Sequence, residues 1–367
     1  MKILVLYLGR KGAGPVYALE MARALRNKNE IVAVLSNYIE NKSDWNEIST
    51  IKKYYWNTYK NKKQFVFSLF KFKLFYNLIK TIKNEKPNII YSPMPSLWDV
   101  ILFPFLSKYT RIKTIHDVEL HRGEDGFINR FFHRQSFKNS EKFIVLSKKY
   151  VSLLIEKRIE SKNIKVIPHA SFSYYDNDSS VEVFNAFSKK ILFFGRIEKY
   201  KGLNILLDAF KHIKNIEPNA ILRIVGSGDV SIYQKKLELL SSGIELHNRW
   251  IEDNEVKGFF KDITLLVLPY THASQSGVIP LAYSLGVPVL AFDVGCISEQ
   301  LIDNETGILM PVGNGDSLAK AIIDILRKPE KLTKMSLNAK EYSKTKLSWD
   351  VSALLLNELI NEKGEIC

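Results

Sequence analysis

The stretch Leu265–Pro311, LLVLPYTHASQSGVIPLAYSLGVPVLAFDVGCISEQLIDNETGILMP, determines the fold class of this chain. Its first residues, Leu265–Pro269, are a continuous apolar run of the kind that a parallel strand buried on both faces requires. A polar loop, His272–Gly277, follows this strand. A short helix then begins, with Ser276 as its predicted N-cap, and Pro288–Phe292 is the next apolar strand. The order strand, loop, helix, strand predicts an open α/β sheet.

The polar loop of this stretch lies where such sheets bind ligands. It follows the carboxyl end of a strand and precedes a helix, so backbone N–H groups and the helix dipole favour a phosphate there. The alternative is an ordinary turn in which Gly277 serves only the backbone conformation. From the loop alone both interpretations remain open.

Length and composition restrict the class of protein. A chain of 367 residues favours two domains. No apolar run reaches the roughly 20 residues that span a bilayer, and Ile3–Leu8 is too short for a signal peptide. Two cysteines, Cys296 and Cys367, are too few for a disulfide framework and suit a reducing cytoplasm. The net charge of +14 favours an anionic partner: nucleic acid, anionic lipid or a phosphorylated substrate.

Strands alternate with helices along both halves of the chain. The predicted strands are Lys2–Leu8, Ile31–Ser36, Asn88–Ser92, Ile112–Asp117, Lys142–Ser147 and Lys165–His169, then Ile191–Phe194, Ala220–Val225, Ile244–His247, Leu265–Leu268, Val289–Phe292 and Ile308–Met310. This alternation indicates parallel βαβ units in two similar α/β domains, with a ligand cleft between them. The predicted domains are residues 1–172 and 189–345, joined by a linker at 173–188 and followed by an amphipathic helix within 346–367.

A glycine-rich turn, Gly9–Pro15, follows the first strand and precedes the predicted helix Val16–Arg26. Pro15 suits the first helical position, and the glycines before it allow a bound group to approach the backbone. The spacing differs from the dinucleotide fingerprint because no third glycine follows. The turn is therefore only a general indication of a ligand.

Residues 52–86 interleave lysines with aromatic residues, and Glu85 is the only acid among them. From Gln64 onward the spacing predicts an amphipathic helix with one apolar stripe: Phe67, Phe70, Leu74 and Leu78. Such a helix suits an anionic membrane surface, which is the interpretation we favour. Packing of the aromatic residues in the core and stacking on single-stranded nucleic acid are the alternatives.

Two groups of polar residues follow predicted strands and are candidates for chemistry. His116, followed by Asp117, either hydrogen-bonds a sugar hydroxyl in the cleft or is an interior histidine beside a turn. Arg196 and Lys201 flank a strand–helix turn and could neutralise a diphosphate, together with N–H groups at Ser276 and Gly277. Cations placed at a leaving diphosphate stabilise the transition state, because its negative charge rises as the bond breaks.

Several short motifs carry a family resemblance. They are Gly195-Arg196…Lys201-Gly202, Val225-Gly226-Ser227-Gly228, the LPY loop (Leu268-Pro269-Tyr270), Gly286-Val287-Pro288-Val289, Asp293-Val294-Gly295…Glu299 and Asn304-Glu305-Thr306-Gly307. In order and spacing the chain resembles the retaining glycosyltransferases of family 4, most strongly over residues 189–327. The resemblance implies a GT-B fold: two Rossmann-like, doubly wound domains facing across a cleft, and a C-terminal helix that crosses back to the first domain.

The resemblance also implies roles for individual residues. Arg196 and Lys201 would hold the donor diphosphate, helped by the backbone at Gly12, Ala13 and Gly14 and at Ser276, Gly277 and Val278. Gly226, Ser227, Trp250 and Ile251 would lie by the nucleotide base, and His116 would contact the donor hexose. The family needs no metal or other cofactor, and the donor phosphate takes the acceptor proton in a front-face attack.

One departure from the family concerns its pair of glutamates with the spacing E-x7-E. The corresponding positions are Ala273 and Leu281, so the donor contacts must differ. The segment Ala273–Val278 resembles a variant of some bacterial surface-polysaccharide transferases, in which Gln275 or Ser276 would replace part of the sugar contact.

These observations predict a cytoplasmic glycosyltransferase, peripheral at the inner face of the plasma membrane. It would transfer a hexose from a nucleotide-sugar to a glycan acceptor, expected to be lipid-linked, in cell-surface polysaccharide synthesis. The rivals are a GT-B nucleotide-sugar epimerase or hydrolase, with Glu119, Glu124 and Glu299 as candidate acids, and a non-catalytic sugar-nucleotide-binding or partner subunit. Nucleic acid is not an expected partner.

Overall fold

A computed structural model of the chain describes residues 1–61, 64, 67–68, 71–94, 96–116, 118, 130, 134–135, 137–171 and 183–361. The chain forms two compact units. The first comprises Met1–Pro168 and the C-terminal segment from Trp349, and the second comprises His169–Ser348. Part of the predicted linker, residues 173–182, lies outside the described residues.

The strands are short and mostly buried on both faces. They are β1 Lys2–Tyr7, β2 Glu30–Ser36, β3 Lys52–Trp56, β4 Ile89–Ser92, β5 Thr110–Ile115, β6 Lys142–Val145, β7 Ile164–Val166, β8 Lys190–Phe194, β9 Ile221–Val225, β10 Ile244–His247, β11 Leu265–Leu268, β12 Val289–Phe292 and β13 Gly307–Met310. Every predicted strand is present, with ends shifted by up to three residues. β3, which the alternation did not predict, lies inside the lysine-rich segment.

The helices cover the sheets. They are α1 Ala13–Leu25, α2 Lys42–Glu47, α3 Phe72–Glu85, α4 Leu97–Leu102, α5 Lys149–Glu156, α6 Leu203–Ile216, α7 Gln234–Leu239, α8 Val256–Phe259, α9 Val278–Ser284, α10 Ile297–Gln300, α11 Gly315–Leu326, α12 Pro329–Thr345 and α13 Trp349–Asn361. Short 3₁₀ turns, among them Phe103–Leu106 and Lys199–Lys201, connect some of them. α1 begins at Ala13 rather than at the predicted Val16, so Pro15 is its third residue.

Both units have the same sheet topology. All strand pairs are parallel, in the order β3-β2-β1-β4-β5-β6-β7 in the first unit and β10-β9-β8-β11-β12-β13 in the second. The order 3-2-1-4-5-6 reverses between β1 and β4, and between β8 and β11. Doubly wound sheets bind ligands at the carboxyl ends of the strands where the order reverses. This topology confirms the predicted α/β fold of two Rossmann-like units. The candidate ligand sites are therefore the carboxyl ends of β1 and β4 in the first unit and of β8 and β11 in the second.

The C-terminal helix α13 packs within the first unit. Trp349 meets Tyr17 of α1 edge-to-face, with ring centroids 5.1 Å apart. Asn29 donates a hydrogen bond to the side chain of Asn357 at 3.0 Å, and Lys165 of β7 forms a salt bridge with Glu358 at 2.9 Å. The last helix therefore completes the layer that also contains α1.

Candidate functional site

The carboxyl ends of β8 and β11 bring two predicted segments of the second unit together. Thr271, after β11, donates its N–H to the carbonyl of Tyr200, after β8, at 2.8 Å. Gly202 lies so close to the backbone that a Cβ there would be 1.9 Å from the Pro269 carbonyl oxygen. Because Gly202 also has a φ of 71°, glycine is required at this crossing. The turn with Arg196 and Lys201 is therefore held against the LPY loop.

Lys201 is the charged centre of this edge. Its ammonium lies over the Tyr270 ring, 5.1 Å from the centroid. A Cβ on Gly195 would lie 2.9 Å from the Lys201 Nζ, so the glycine makes room for the ammonium. Burial lowers the pKa of Lys201, and the positive charge of Arg196 lowers it further, whereas Tyr200 and the carboxylate of Glu198 oppose part of that shift. Within the part of the chain that the structure describes, Lys201 has no salt bridge to a carboxylate.

Arg196 and Tyr270 complete the electrostatics around Lys201. Arg196 is exposed, directly after β8. Tyr270 is buried, which raises the pKa of its phenol to about 12, and the nearby Ser276 hydroxyl opposes part of that shift. The second unit therefore presents one exposed and one half-buried cation beside a neutral tyrosine.

The loop between β11 and α9 is fixed by a glutamine that the sequence analysis missed. Gln300 of α10 accepts the N–H of Ser276 at 2.7 Å and donates its amide to the Ser276 carbonyl at 3.0 Å. The N–H of Val278 goes to the Ser276 hydroxyl at 3.3 Å. The N-cap residue of α9 is Gly277, so the predicted N-cap at Ser276 was wrong by one residue. The Ser276 N–H therefore already has a side-chain partner.

The positions of the family's glutamate pair have different surroundings. The carbonyl of Ala273 lies beside Gly295, where a Cβ would be 1.6 Å from its oxygen. Leu281 is buried in an apolar cluster. His169 lies beside this loop, with its Nε2 3.8 Å from the Cβ position of Gly277. Gln275 is half-buried in the same loop.

The predicted base-binding residues lie after β9 and β10 of the second unit. Gly226 approaches β8 so closely that a Cβ would be 2.0 Å from the Gly195 carbonyl oxygen. The Ser227 carbonyl accepts the N–H of Ile197 at 2.8 Å, which joins this turn to the Arg196 turn. Trp250 is 57% exposed, and its carbonyl accepts from Arg249 at 3.0 Å. Ile251, the next residue, is half-buried.

The glycine turn after β1 in the first unit is occupied by the protein's own side chains. A Cβ on Gly9 or Gly14 would lie 2.4 or 2.3 Å from the Tyr7 hydroxyl oxygen. The N–H of Gly12, the N-cap of α1, is donated to the Glu40 carboxylate at 2.9 Å. Burial raises the pKa of Tyr7. Gly9 and Gly14 thus leave space for the Tyr7 side chain, which the sequence analysis did not predict.

His116 follows β5 and lies beside the loop that follows β4 in the first unit. Its Nε2 is 3.1 Å from the Pro93 carbonyl oxygen, and its ring meets Tyr17 edge-to-face at 4.9 Å. Asp99 stabilises the loop after β4, because its buried carboxylate accepts hydrogen bonds from the Ser92 hydroxyl at 2.8 Å and from the Ser96 N–H at 3.0 Å. The structure therefore brings His116 and the Gly12–Gly14 turn to one edge of the first sheet. Asp117, Glu119 and Glu124 lie outside the described residues.

The lysine-rich segment 52–86 divides into two parts. In β3, Lys52 and Tyr54 both hydrogen-bond the buried Glu85, which lowers the pKa of Glu85 to about 2. In α3, one face is buried, with Phe75, Leu78 and Ile82 at most 7% exposed. The predicted stripe was wrong for Phe67, which is 71% exposed, because Lys71 is the N-cap of α3 and interrupts the helix. Phe70 lies outside the described residues.

Two features are absent from the residues that the structure describes. These residues contain no group of three or more His, Cys, Asp or Glu side chains that could hold a metal ion. Among them, too, no helix combines the length and the apolar character needed to cross a membrane.

Comparisons with known proteins match this arrangement. Residues 175–342 match the family model described as Glycosyl transferases group 1. An uncharacterised glycosyltransferase of Methanocaldococcus jannaschii is 28% identical over 68% of this chain and 69% of that protein. The phosphatidyl-myo-inositol mannosyltransferase of Mycobacterium leprae is 30% identical over 38% of this chain and 37% of that protein.

One solved structure shows how far the fold likeness extends. The crystal structure of Anabaena HepE in complex with UDP covers 99% of this chain and 100% of its own, with a TM-score of 0.76 and 17% identity. The fold is thus shared along the whole chain, whereas the family match covers the second unit. The family match is therefore confined to residues 175–342, and along the rest of the chain the likeness is one of fold.

Proposed function

We propose that this chain is a retaining hexosyltransferase that moves a sugar from a nucleotide-sugar donor to a lipid-linked glycan during cell-surface polysaccharide synthesis. One observation carries the proposal: the half-buried Lys201 lies at the ligand-binding edge of the second unit without a salt bridge among the described residues. A cation that has lost hydration and has no carboxylate partner gains most from a bound anion.

The donor diphosphate is the anion that suits Lys201 and Arg196. The ammonium supplies a compact charge, and the exposed guanidinium can take two phosphate oxygens. Both cations stabilise the charge that grows on the diphosphate as it leaves, so no metal is needed for this step. Because Ser276 already donates its N–H to Gln300 and α9 has only seven residues, the two side chains carry more of this task than the helix terminus.

The rest of the donor is assigned by position. Trp250 offers an exposed ring for stacking on the base, and Gly226, Ser227 and Ile251 are proposed to line the base as well. Gln275, with Ser276, is proposed for the sugar, at the loop where the family's glutamate is replaced by Ala273. His116 is proposed to contact the hexose, and the Gly12, Ala13 and Gly14 backbone to assist the diphosphate. The likeness to HepE, solved with UDP, favours a uridine nucleotide.

Calorimetric titration with UDP, GDP, ADP and TDP and their common sugars tests this proposal. We expect one diphosphate family to bind the wild type and to lose about 10- to 100-fold in affinity in Arg196→Ala. Binding by none of them to a folded sample would favour a non-catalytic subunit. Product from an α-linked donor should keep the α configuration by NMR in the presence of EDTA. Inversion, or activity restored only by a divalent cation, would contradict the proposed mechanism.

Membrane association at the cytoplasmic face is the second part of the proposal. The outward side of α3 carries Phe72 and Tyr76, 79% and 67% exposed and one helical turn apart. The exposed lysines of α3 and its N-cap accompany them: Lys71, Lys73, Lys80 and Lys83. Exposed aromatic rings beside lysines suit an anionic lipid surface. β3 does not contribute, since Lys52 and Tyr54 hydrogen-bond Glu85.

Sedimentation with vesicles tests the membrane contact. We expect binding to vesicles with about 30% phosphatidylglycerol, little binding to phosphatidylcholine, and loss of binding in the double variant Phe72→Ser, Tyr76→Ser. Leu239→Ser is the matched control, because Leu239 is 70% exposed in the second unit. Equal loss in both variants would contradict the assignment. Salt-sensitive binding to oligonucleotides instead of vesicles would favour the nucleic-acid alternative.

A further inference from the structure

A charged pair lies buried in the first unit, beside the loop that follows β4. The Lys113 ammonium of β5 is 3.9 Å from the Asp99 carboxylate of α4 and 4.9 Å from the centroid of the Phe103 ring. Both charged side chains are 1% exposed. In the other salt bridges between residues that the structure describes, at least one partner is partly exposed to solvent. Since apolar side chains can often replace a buried pair without loss of stability, stability alone is a weak reason for its presence.

The two charges depend on each other. Burial lowers the pKa of Lys113, while Asp99 opposes this shift and Arg111 adds to it. Burial also raises the pKa of Asp99, against the effects of Lys113 and of hydrogen bonds from Ser92 and Ser96. Removing one partner alone would therefore leave the other charge buried without its counter-ion, at a large cost in stability.

Asp99 connects the charged pair to the loop after β4. Its carboxylate accepts a hydrogen bond from the Ser92 hydroxyl at 2.8 Å, and from the N–H and the hydroxyl of Ser96, both at 3.0 Å. The Ser96 hydroxyl in turn accepts the N–H of Asp99 at 3.3 Å. Because Ser92 and Ser96 lie at the two ends of the loop, one carboxylate fixes its backbone at both ends.

The same loop holds the ring of His116. The Nε2 of His116 lies 3.1 Å from the Pro93 carbonyl oxygen. A carbonyl oxygen only accepts hydrogen bonds, so Nε2 carries a proton and donates it. In the neutral imidazole this contact selects the tautomer that is protonated at Nε2. Lys113 and His116 are three residues apart, at β5 and directly after it, so the charged pair lies close in sequence to the ring that the loop orients.

We propose that Asp99 and Lys113 are positioning residues for His116, which act through the Pro93 carbonyl and keep the neutral imidazole protonated at Nε2. The inference rests on the proposed function for its consequence, because His116 is proposed there to contact the donor hexose. A ring that is oriented before the sugar arrives lowers the cost of ordering the reacting groups.

Long-range ¹H–¹⁵N NMR of the imidazole rings reports the tautomer without any ligand. The His116→Gln chain identifies the signals of His116. We expect the Nε2-protonated tautomer in the wild type and a mixture of tautomers in Ser96→Ala, which keeps both charges and loses both hydrogen bonds of the Ser96 hydroxyl to Asp99.

The double variant Asp99→Asn, Lys113→Met should give a similar mixture. It removes both charges together, so neither is left buried alone, and the amide offers one acceptor oxygen where the carboxylate offers two. Asn314→Ala is the matched control, because Asn314 is the N-cap of α11 in the second unit and accepts the N–H of Ser317 at 3.0 Å. Unchanged His116 signals in folded Ser96→Ala and in the folded double variant would overturn the inference, as would the same change in Asn314→Ala.

Turnover tests the consequence for the reaction. With the nucleotide-sugar that binds the wild type, we expect kcat for transfer to water to fall about tenfold in Ser96→Ala. The affinity for the nucleoside diphosphate should stay within about twofold, because Arg196 and Lys201 lie in the second unit. An unchanged kcat, or an equal loss of diphosphate affinity, would contradict the positioning role. If no nucleotide binds the wild type, the proposed function fails, and the tautomer measurement still decides whether the pair orients His116.

Discussion

The two edges at which the strand order reverses have the same arrangement of strands around the switch point, but different side chains fill the space beside their glycines. Between β8 and β11, Gly195 makes room for the Lys201 ammonium, which has no salt bridge to any residue that the structure describes. Between β1 and β4, Gly9 and Gly14 make room for the Tyr7 hydroxyl, and Glu40 takes the Gly12 N–H. Glycines after the first strand of a doubly wound sheet therefore do not by themselves indicate a phosphate site. Whether such a turn can accept a phosphate depends on which side chain fills the space beside the glycines.

The largest expected effect separates charge from packing at the second edge. Lys201→Met should weaken nucleotide diphosphate binding by about 100-fold, because a partly desolvated charge contact is lost. The same variant should raise the free energy of unfolding by about 1 kcal/mol, since burial disfavours the charged form of the lysine, as its lowered pKa indicates. Calorimetry and urea unfolding measure the two effects.

Lys199→Met is the control for Lys201→Met, because Lys199 is exposed in the same 3₁₀ turn. Lys199→Met should change the affinity for nucleotide diphosphates and the free energy of unfolding only slightly. If Lys201→Met binds nucleotides as the wild type does, the distinction between the two edges fails.

A glycine substitution tests the packing at the first edge. A Cβ at Gly14 would lie 2.3 Å from the Tyr7 hydroxyl oxygen and 2.9 Å from the Met94 sulfur. Gly14→Ala should therefore cost about 2 kcal/mol of unfolding free energy, and Tyr7→Phe in the same chain should recover about half. Gly258→Ala is the control, because nothing lies within 4 Å of its Cβ position. Additive effects of Gly14→Ala and Tyr7→Phe in a double-mutant cycle would show that the hydroxyl does not occupy the space.

These tests follow the limit of what the sequence predicts. Apolar runs such as Leu265–Leu268 predict strands because a parallel strand that is buried on both faces must be apolar at nearly every position. The Gln300–Ser276 contact joins residues 24 positions apart and depends on tertiary packing, so no local pattern announces it. The place of Tyr7 among the glycines has the same origin. At Phe67 the periodicity misled because the helix is interrupted at Lys71, which the spacing of apolar residues does not encode.

A substitution of Gln300 tests whether the second edge needs an ordered loop as well as a cation. Gln300→Met removes both hydrogen bonds to Ser276 and keeps a similar volume. We expect about 1–2 kcal/mol less stability and about tenfold weaker diphosphate binding, because the loop beside Lys201 loses its support. Gln234→Met is the control, since Gln234 donates only to the exposed Glu238. A loss of stability with unchanged affinity would restrict Gln300 to a structural role.

The smallest expected effect is a pH dependence confined to the second edge. In the free protein burial lowers the pKa of Lys201, and Arg196 lowers it further against the opposing effects of Tyr200 and Glu198; a bound diphosphate would raise it. Affinity is then greatest where the free protein already carries the proton, and it falls as pH rises through the lowered pKa, by at most tenfold per pH unit. Calorimetry from pH 7.5 to about 9.5, in buffers of different ionisation enthalpy, counts the proton taken up. Arg196→Gln should move the fall to higher pH and Lys201→Met should abolish it, whereas a flat profile in the wild type would place the lysine outside the binding site.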